Sequence, residues 1–181
     1  MNESEIVKRL REGDLAALKE LWNASSAHVL NLAFRILLDR DKAEDILMDV
    51  FVQIPEAIRS FKGKSRLSTW LYALTKNACL MKIRKDRIHL KIETTRSPEI
   101  EENAFGKTDR TDKEIENEEL SYGLSILTPE QRSLLWLKDA EGLDIPTLSE
   151  IFKAPEGTLK ARLSRARAQV RQILEKETLY A

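Results

Sequence analysis

The sequence predicts an all-α protein of two small helical domains, an N-terminal helical bundle and a C-terminal helix-turn-helix, joined by a flexible acidic linker. Apolar residues recur at three- and four-residue spacing over most of the chain, and strand-like alternation is rare. Only six glycines and five prolines interrupt its 181 residues. We place the first domain at 1–94, the linker at 95–116 and the second domain at 117–181.

Charge is strongly segregated along the chain, although the formal net charge is zero. Residues 60–96 hold ten basic and two acidic residues, residues 97–120 hold three basic and nine acidic ones, and residues 153–176 hold seven basic and two acidic ones. The zero total alone argues against a nucleic-acid binder. Two basic blocks that flank an acidic one instead fit two DNA-facing surfaces joined by a polar tether.

The composition excludes several classes of protein. Cys79 is the only cysteine, so an internal disulfide and a cysteine metal cluster are excluded, and a reduced, cytoplasmic setting is the default. No apolar run reaches the length of a membrane span, and no membrane insertion is expected. His28 and His89 lie far apart in sequence without a metal-ligand or nucleophile partner nearby. We therefore predict no catalytic residue, no metal and no cofactor.

The first three helices follow from end signals and apolar spacing. A short first helix ends at Gly13, and Asp14 caps a long second helix in which we expect an irregularity around 25–26. Asp41 and Glu44 resemble a capping box for the third helix. Pro55 lies inside the third apolar pattern and predicts a kink or an early end.

A basic loop and the fourth helix, residues 61–87, combine apolar spacing, aromatic residues and clustered Lys and Arg. The apolar positions from Leu67 predict a helix with one buried face, capped by Ser68, in which Trp70 is a core residue. Basic residues occupy another face, and the glycine of the loop permits close backbone approach. A basic helix is often only a solvated surface, but a second one later in the chain favours contact with a polyanion.

The second domain begins with a capping box at Thr128 and Gln131, with Pro129 at the first helical position. Gly142 ends that helix, and Asp144 caps the short helix that follows. A long basic helix then runs to about Glu175. Its exposed side chains supply donors suited to guanine edges and phosphates, namely Lys160, Arg162, Ser164, Arg165, Arg167 and Arg171. Three helices with a tight connection before the last are typical of a helix-turn-helix, whose final helix enters the DNA major groove.

Two groups of motifs resemble the sigma-70 family of RNA polymerase sigma factors, in particular its extracytoplasmic function (ECF) class. The first group comprises AEDI at 43–46, DVF at 49–51, FKG at 61–63 and TWLY at 69–72 with Asn77. The second comprises LTPEQR at 127–132, EGL at 141–143, EGTLKARL at 156–163 and RAR at 165–167. The resemblance covers nearly the whole chain except the linker, with both groups in the family's order.

The resemblance implies a sigma factor without catalytic residues of its own, because the polymerase performs the chemistry. The implied partners are core RNA polymerase, double-stranded promoter DNA, the melted non-template strand and an anti-sigma factor. The implied polymerase contacts are Asp45, Met48, Asp49 and Gln53. The implied contacts to the minus-10 element, which this domain reads and opens, are Lys62, Lys64, Ser65, Arg66, Thr69, Lys76, Asn77 and Arg84. The implied contacts to the minus-35 element are Thr158, Lys160, Ala161, Arg162, Ser164, Arg165 and Arg167.

The sequence departs from the family pattern at several positions. Met48 and Asp49 stand where the family usually has Gln and Glu. In the helix-turn-helix, Ser149 replaces a small Ala, Lys153 replaces the turn Gly and Pro155 takes the usual capping position, so we expect a reshaped turn. Two other readings stay open. A plain DNA-binding regulator differs in not requiring core polymerase, and a helical enzyme requires a catalytic constellation that the two histidines do not form.

Overall fold

The computed structural model describes residues 3–96 and 124–180. The helices are α1 (Glu3–Arg11), α2 (Leu15–Leu37), α3 (Arg40–Ala57), a 3-10 turn (Ile58–Ser60), α4 (Leu67–Arg96), α5 (Pro129–Asp139), α6 (Ile145–Phe152) and α7 (Glu156–Tyr180). These residues contain no strand, and the all-α prediction is confirmed. No helix in the described ranges is both long and apolar enough to span a membrane. Of the predicted linker, residues 95 and 96 end α4 and the rest lies outside the described residues.

Three predicted helix caps are confirmed, each by a side chain that accepts from an otherwise unpaired backbone N–H. Asp14 accepts from the backbone N–H of Ala16 at 2.7 Å. In the reciprocal capping box, the hydroxyl of Thr128 accepts from the backbone N–H of Gln131 at 3.2 Å, and the side-chain oxygen of Gln131 accepts from the backbone N–H of Thr128 at 2.8 Å. The carboxylate of Asp144 accepts from the backbone N–H of Thr147 at 2.9 Å. Local sequence sets these helix starts because cap and partner are neighbours along the chain.

Two other predicted caps are wrong. The cap of α3 is Asp39, whose carboxylate accepts from the backbone N–H of Lys42 at 3.0 Å, so Asp41 lies inside the first turn. Both aspartates have suitable side chains, and only the backbone conformation selects between them. Helix α4 begins at Leu67, which places Ser68 inside its first turn as well.

The expected irregularity at 25–26 is absent, because α2 runs without interruption from Leu15 to Leu37. The expected early end at Pro55 is confirmed: Pro55 lies in the last turn of α3, which stops at Ala57 and continues as the 3-10 turn. A proline in a helix removes one N–H donor and crowds the preceding turn, and the cost is smallest where the helix is about to end.

One apolar core joins the described residues on both sides of the linker. Leu21, Ile36 and Ile54 belong to the same buried cluster as Leu134 and Leu148. Helix α5 packs on α2, and α6 packs on α4. The N-terminal half of α4 therefore lies between α2, α3 and α6, and this packing decides which of its side chains reach solvent.

Candidate nucleic-acid interface

The basic loop between the 3-10 turn and α4 is held at both ends by α1. A guanidinium N–H of Arg11 donates to the carbonyl of Phe61, and Glu3 accepts from the backbone N–H of Leu67 at 3.2 Å. Gly63 lies at the centre of the loop with φ 67°, a conformation that favours glycine. Sequence analysis missed Arg11 and Glu3 because their partners are 50 and 64 residues away.

Most of the residues predicted to contact the minus-10 element are accessible. Exposed members are Lys62, Lys64, Arg66, Asn77 and Arg84, and Ser65 is half-buried. Phe61 is not available to stack on a base, since only 7% of its surface is exposed and its ring packs on Trp70 at 5.5 Å between centroids. Trp70 is half-buried against the core, as predicted. The loop therefore offers cations and backbone rather than an aromatic platform.

Two predicted minus-10 contacts, Thr69 and Lys76, are buried in this structure. The Nζ of Lys76 donates to the carbonyl of Ile151 at 2.8 Å and lies 4.7 Å from the ring centroid of Phe152. Burial lowers the pKa of Lys76 because the charged ammonium loses its hydration. Helix α6 thus covers the part of α4 that carries this side chain.

Glu141, between α5 and α6, meets side chains from two helices of the N-terminal half. The hydroxyl of Tyr72 donates to its carboxylate at 2.7 Å, and Nδ1 of His28 lies 3.0 Å from the same oxygen. Burial, followed by this hydrogen bond, raises the pKa of Tyr72. The carboxylate of Glu141 therefore links α2 and α4 to the C-terminal half.

Arg132 of α5 makes a second link near the C-terminal end of α2. Its guanidinium donates to the carbonyl of Ile36 at 2.6 Å and to that of Leu127 at 2.7 Å. Burial lowers the pKa of Arg132 to about 10. Nearby, the guanidinium of Arg35 lies 4.8 Å from the ring centroid of Trp136. The hydrogen bonds of Arg132 thus join α5 to α2, although Nε of Arg132 and Nε1 of Trp136 are buried without a hydrogen-bond partner among the described residues.

The turn of the helix-turn-helix contains the three positions at which we expect a departure from the family pattern. Lys153 adopts a left-handed conformation with φ 50° and ψ 46°. The hydroxyl of Ser149 donates to the carbonyl of Ala154 at 2.7 Å, which closes the turn from the preceding helix. Pro155 offers only its carbonyl at the start of α7, where it accepts from Leu159 at 3.1 Å. Ser149 therefore contributes a hydrogen bond that an alanine could not make.

The outer face of α7 carries the residues predicted to contact the minus-35 element. Exposed members are Thr158, Lys160, Ala161, Ser164, Arg165 and Arg167, and Arg162 is half-buried. Three of the four cations face a carboxylate: Lys160 faces Glu156 at 3.7 Å, Arg162 faces Glu130 at 3.8 Å, and Arg167 is hydrogen-bonded to Asp139. The hydrogen bond to Asp139 raises the pKa of Arg167. Arg165 has no ion pair within the described ranges.

Helix α3 presents one solvent-exposed face on which all four predicted polymerase contacts lie, namely Asp45, Met48, Asp49 and Gln53. Two large apolar side chains lie on this face beside the polar ones: Met48 is 56% exposed and Val52 is 74% exposed. Sequence analysis missed Val52, although its position four residues after Met48 places both on one helical face. The face is therefore acidic with an apolar pair, a combination suited to a protein partner.

No group of three or more His, Cys, Asp or Glu side chains in the described ranges could hold a metal ion. Cys79 is fully buried, and burial raises the pKa of its thiol to about 12. A protonated thiol is a poor nucleophile at neutral pH.

Two protein-family models match the chain. The model of sigma-70 region 2 matches residues 21–88, and the model of sigma-70 region 4 matches residues 118–170. The RNA polymerase sigma-H factor of Pseudomonas aeruginosa is 26% identical over 188 residues, which cover 96% of this chain and 94% of the relative. The ECF RNA polymerase sigma factor SigW of Bacillus subtilis is 26% identical over 177 residues, covering 93% and 94%.

Solved structures of sigma factors share the fold. The sigma factor RpoE from Bartonella quintana, in complex with the anti-sigma factor NepR, superposes with a TM-score of 0.66 at 24% identity, covering 87% of this chain and 96% of that one. CnrH, in complex with the cytosolic domain of CnrY, superposes with a TM-score of 0.68 at 16% identity. The match covers 96% of this chain and 97% of CnrH.

An all-helical chain with sigma-70 region 2 followed by region 4 is a bacterial-type initiation factor that confers promoter specificity. The family is the sigma-70 family of RNA polymerase sigma factors, and this chain belongs to it. Within the family its relatives place it in the ECF class.

Proposed function

We propose that the two halves of this sigma factor divide promoter recognition between them. Residues 1–94 bind core RNA polymerase and read and open the minus-10 element, residues 95–116 are the linker, and residues 117–181 read the minus-35 element. The observation that carries this proposal is the presence of two separate exposed basic surfaces, the loop before α4 and the outer face of α7. The chain acts in the cytoplasm without catalytic residues of its own.

The exposed face of α3 is the proposed contact with core polymerase. Its carboxylates at Asp45 and Asp49 supply charge complementarity, and Met48 and Val52 supply apolar surface that water contacts in the free protein. Apolar side chains at the centre of an interface usually contribute most of the binding energy, and surrounding charges steer association.

Strand opening is assigned to the basic loop and α4. Lys62, Lys64 and Arg66 hold phosphates of the DNA, and Asn77 offers an amide donor and acceptor to a base taken out of the stack. Lys76 reaches DNA only after α6 leaves α4, because its ammonium is buried against Ile151 and Phe152 in the structure described here. Promoter opening by this chain therefore includes separation of its two halves.

An anti-sigma factor is a proposed further partner. RpoE of Bartonella quintana was solved with the anti-sigma factor NepR, and the present chain shares its fold. A protein that stabilises α6 on α4 would keep Lys76 away from DNA without contacting Lys76 itself.

Charge reversal on α3 tests the polymerase contact. In Asp45→Lys/Asp49→Lys, two exposed carboxylates become cations, and binding to core polymerase should weaken at least about tenfold because like charges then oppose each other. The matched control is Glu12→Lys/Glu150→Lys, which changes the net charge equally at exposed positions outside α3. Equal affinity of both double variants and wild type in a pull-down titration, with unchanged circular dichroism, would refute the assignment.

A further inference from the structure

A basic groove of about 360 Å³ lies beside the predicted minus-35 surface, between the end of α5, the start of α6 and the outer face of α7. Helix α7 contributes Lys160, Ser164, Arg167 and Arg171 to its wall, at spacings that keep all four on one side of the helix. Lys138 from the last turn of α5 faces them. Of these five residues, Lys138 is the one outside the set that the sequence predicts to contact DNA.

The groove holds more positive charge than its neighbours neutralise. The carboxylate of Asp139 is hydrogen-bonded to Arg167, and a carboxylate oxygen of Glu156 lies 3.7 Å from Nζ of Lys160. The Nζ of Lys138 donates one hydrogen to the carbonyl of Leu143 at 3.0 Å and keeps its other hydrogens. The structure shows no ion pair for Lys138 or Arg171 within the described ranges. Arg171 thus has no carboxylate partner within the described ranges, and Lys138 interacts with the carboxylate of Asp144 only at longer range, without an ion pair.

The groove adjoins the surface on which a DNA duplex is expected. Lys160, Ser164 and Arg167 belong both to the predicted minus-35 contacts and to the groove wall. A duplex carries about one negative charge per ~1.7 Å of its axis, so a strand that runs along the edge of the α7 contact brings phosphates to the groove. Ser164 can donate its hydroxyl to a phosphate oxygen, and Lys and Arg are the usual partners of that group.

We propose that Lys138 and Arg171 form a phosphate-binding site for the DNA backbone at the edge of the minus-35 contact. The inference rests on the proposed function of the C-terminal half and extends it from α7 to α5. Contacts to phosphate position a protein on DNA without reading bases. The site therefore sets the affinity for DNA and the angle of α7 in the DNA major groove. Base preference depends on other side chains.

The test is the salt dependence of duplex binding by the full chain, measured by fluorescence anisotropy between about 50 and 200 mM salt. Lys138→Ala and Arg171→Ala are each expected to weaken binding about threefold to tenfold at low salt, equally for promoter and scrambled duplexes, and to reduce the slope of log K against log salt by about one. Arg171 is exposed, so its replacement carries little risk of misfolding. Lys19→Ala, an exposed lysine on α2, is the matched control and should leave affinity and slope unchanged.

Other outcomes overturn the site. Unchanged affinity and slope in both variants would show that the basic groove binds no DNA phosphate. The proposed function would still stand in that case if Arg165→Ala lost duplex binding and the wild-type chain still bound core polymerase. Loss confined to the promoter duplex would make the two residues base readers instead. Saturable binding of inorganic phosphate at about 10 mM that both variants lose, with duplex affinity and slope unchanged in them, would identify a free phosphate site rather than a DNA contact.

Discussion

Lys153 illustrates how one residue can occupy a position for which its side chain is poorly suited. Its backbone is left-handed, with φ 50°, at the end of α6 where glycine is usual. A residue with a Cβ atom is strained there by roughly 1–2 kcal/mol. The hydrogen bond from Ser149 to Ala154 stabilises the turn in spite of this strain.

Replacing Lys153 by glycine should therefore stabilise the protein. The relief of strain exceeds the extra flexibility of the unfolded chain, and we expect a gain of about 0.5–1 kcal/mol in the free energy of unfolding. Urea denaturation followed by circular dichroism measures it. Lys153→Ala keeps the strain and should be nearly neutral, and a stability of Lys153→Gly at or below wild type would show that the turn is not strained.

Helix α1, although short, positions the basic loop before α4. Arg11 and Glu3 hold the two ends of the basic loop, at Phe61 and Leu67. A loop fixed at both ends presents its cations to DNA at a lower cost in conformational entropy than a free one.

Arg11→Ala should accordingly reduce promoter opening without reducing polymerase binding. The change releases the carbonyl of Phe61 and loosens the loop, whereas the exposed face of α3 is untouched. Permanganate footprinting of open complexes is expected to show about a threefold to tenfold loss of reactivity, equivalent to roughly 0.7–1.4 kcal/mol. Lys8→Ala, an exposed cation on the same helix, is the control, and normal opening by Arg11→Ala would contradict a positioning role.

Local features of the helices were predictable, and long-range ones were not. The caps at Asp14, Thr128 and Asp144 were found because each partner is within three residues. The start of α4 was misjudged because Glu3, its hydrogen-bond partner, is 64 residues away. The family resemblance implied the contact residues of α3 and α7, and helical period is consistent with their exposure on one face of each helix. Lys76 was expected on a surface, and only the docking of α6 buries it.

At the scale of the whole molecule, the structure shows a closed arrangement of its two halves. Glu141 contacts Tyr72 and His28, and Arg132 donates to Ile36. These polar contacts lie around a shared apolar core. If Lys76 contacts promoter DNA, as proposed, this arrangement must open during initiation.

Energy transfer between labels in the two halves should report that opening. Cys79 is buried with its pKa raised to about 12, so labels react selectively at Glu12→Cys and Glu175→Cys. Transfer efficiency is expected to be high in the free protein and to fall when core polymerase and promoter DNA are added. Unchanged efficiency in complexes that open the duplex would contradict a contact between Lys76 and DNA.

Run-off transcription on fragmented genomic DNA tests the central claim most directly. Purified core polymerase is combined with this protein or with Asp45→Lys/Asp49→Lys, and the starts are mapped. We expect new start sites that share two upstream elements, formed with wild type and lost with the double variant. No new starts with wild type, together with retained duplex binding and no affinity for core polymerase, would contradict promoter-specific initiation and indicate a plain DNA-binding regulator.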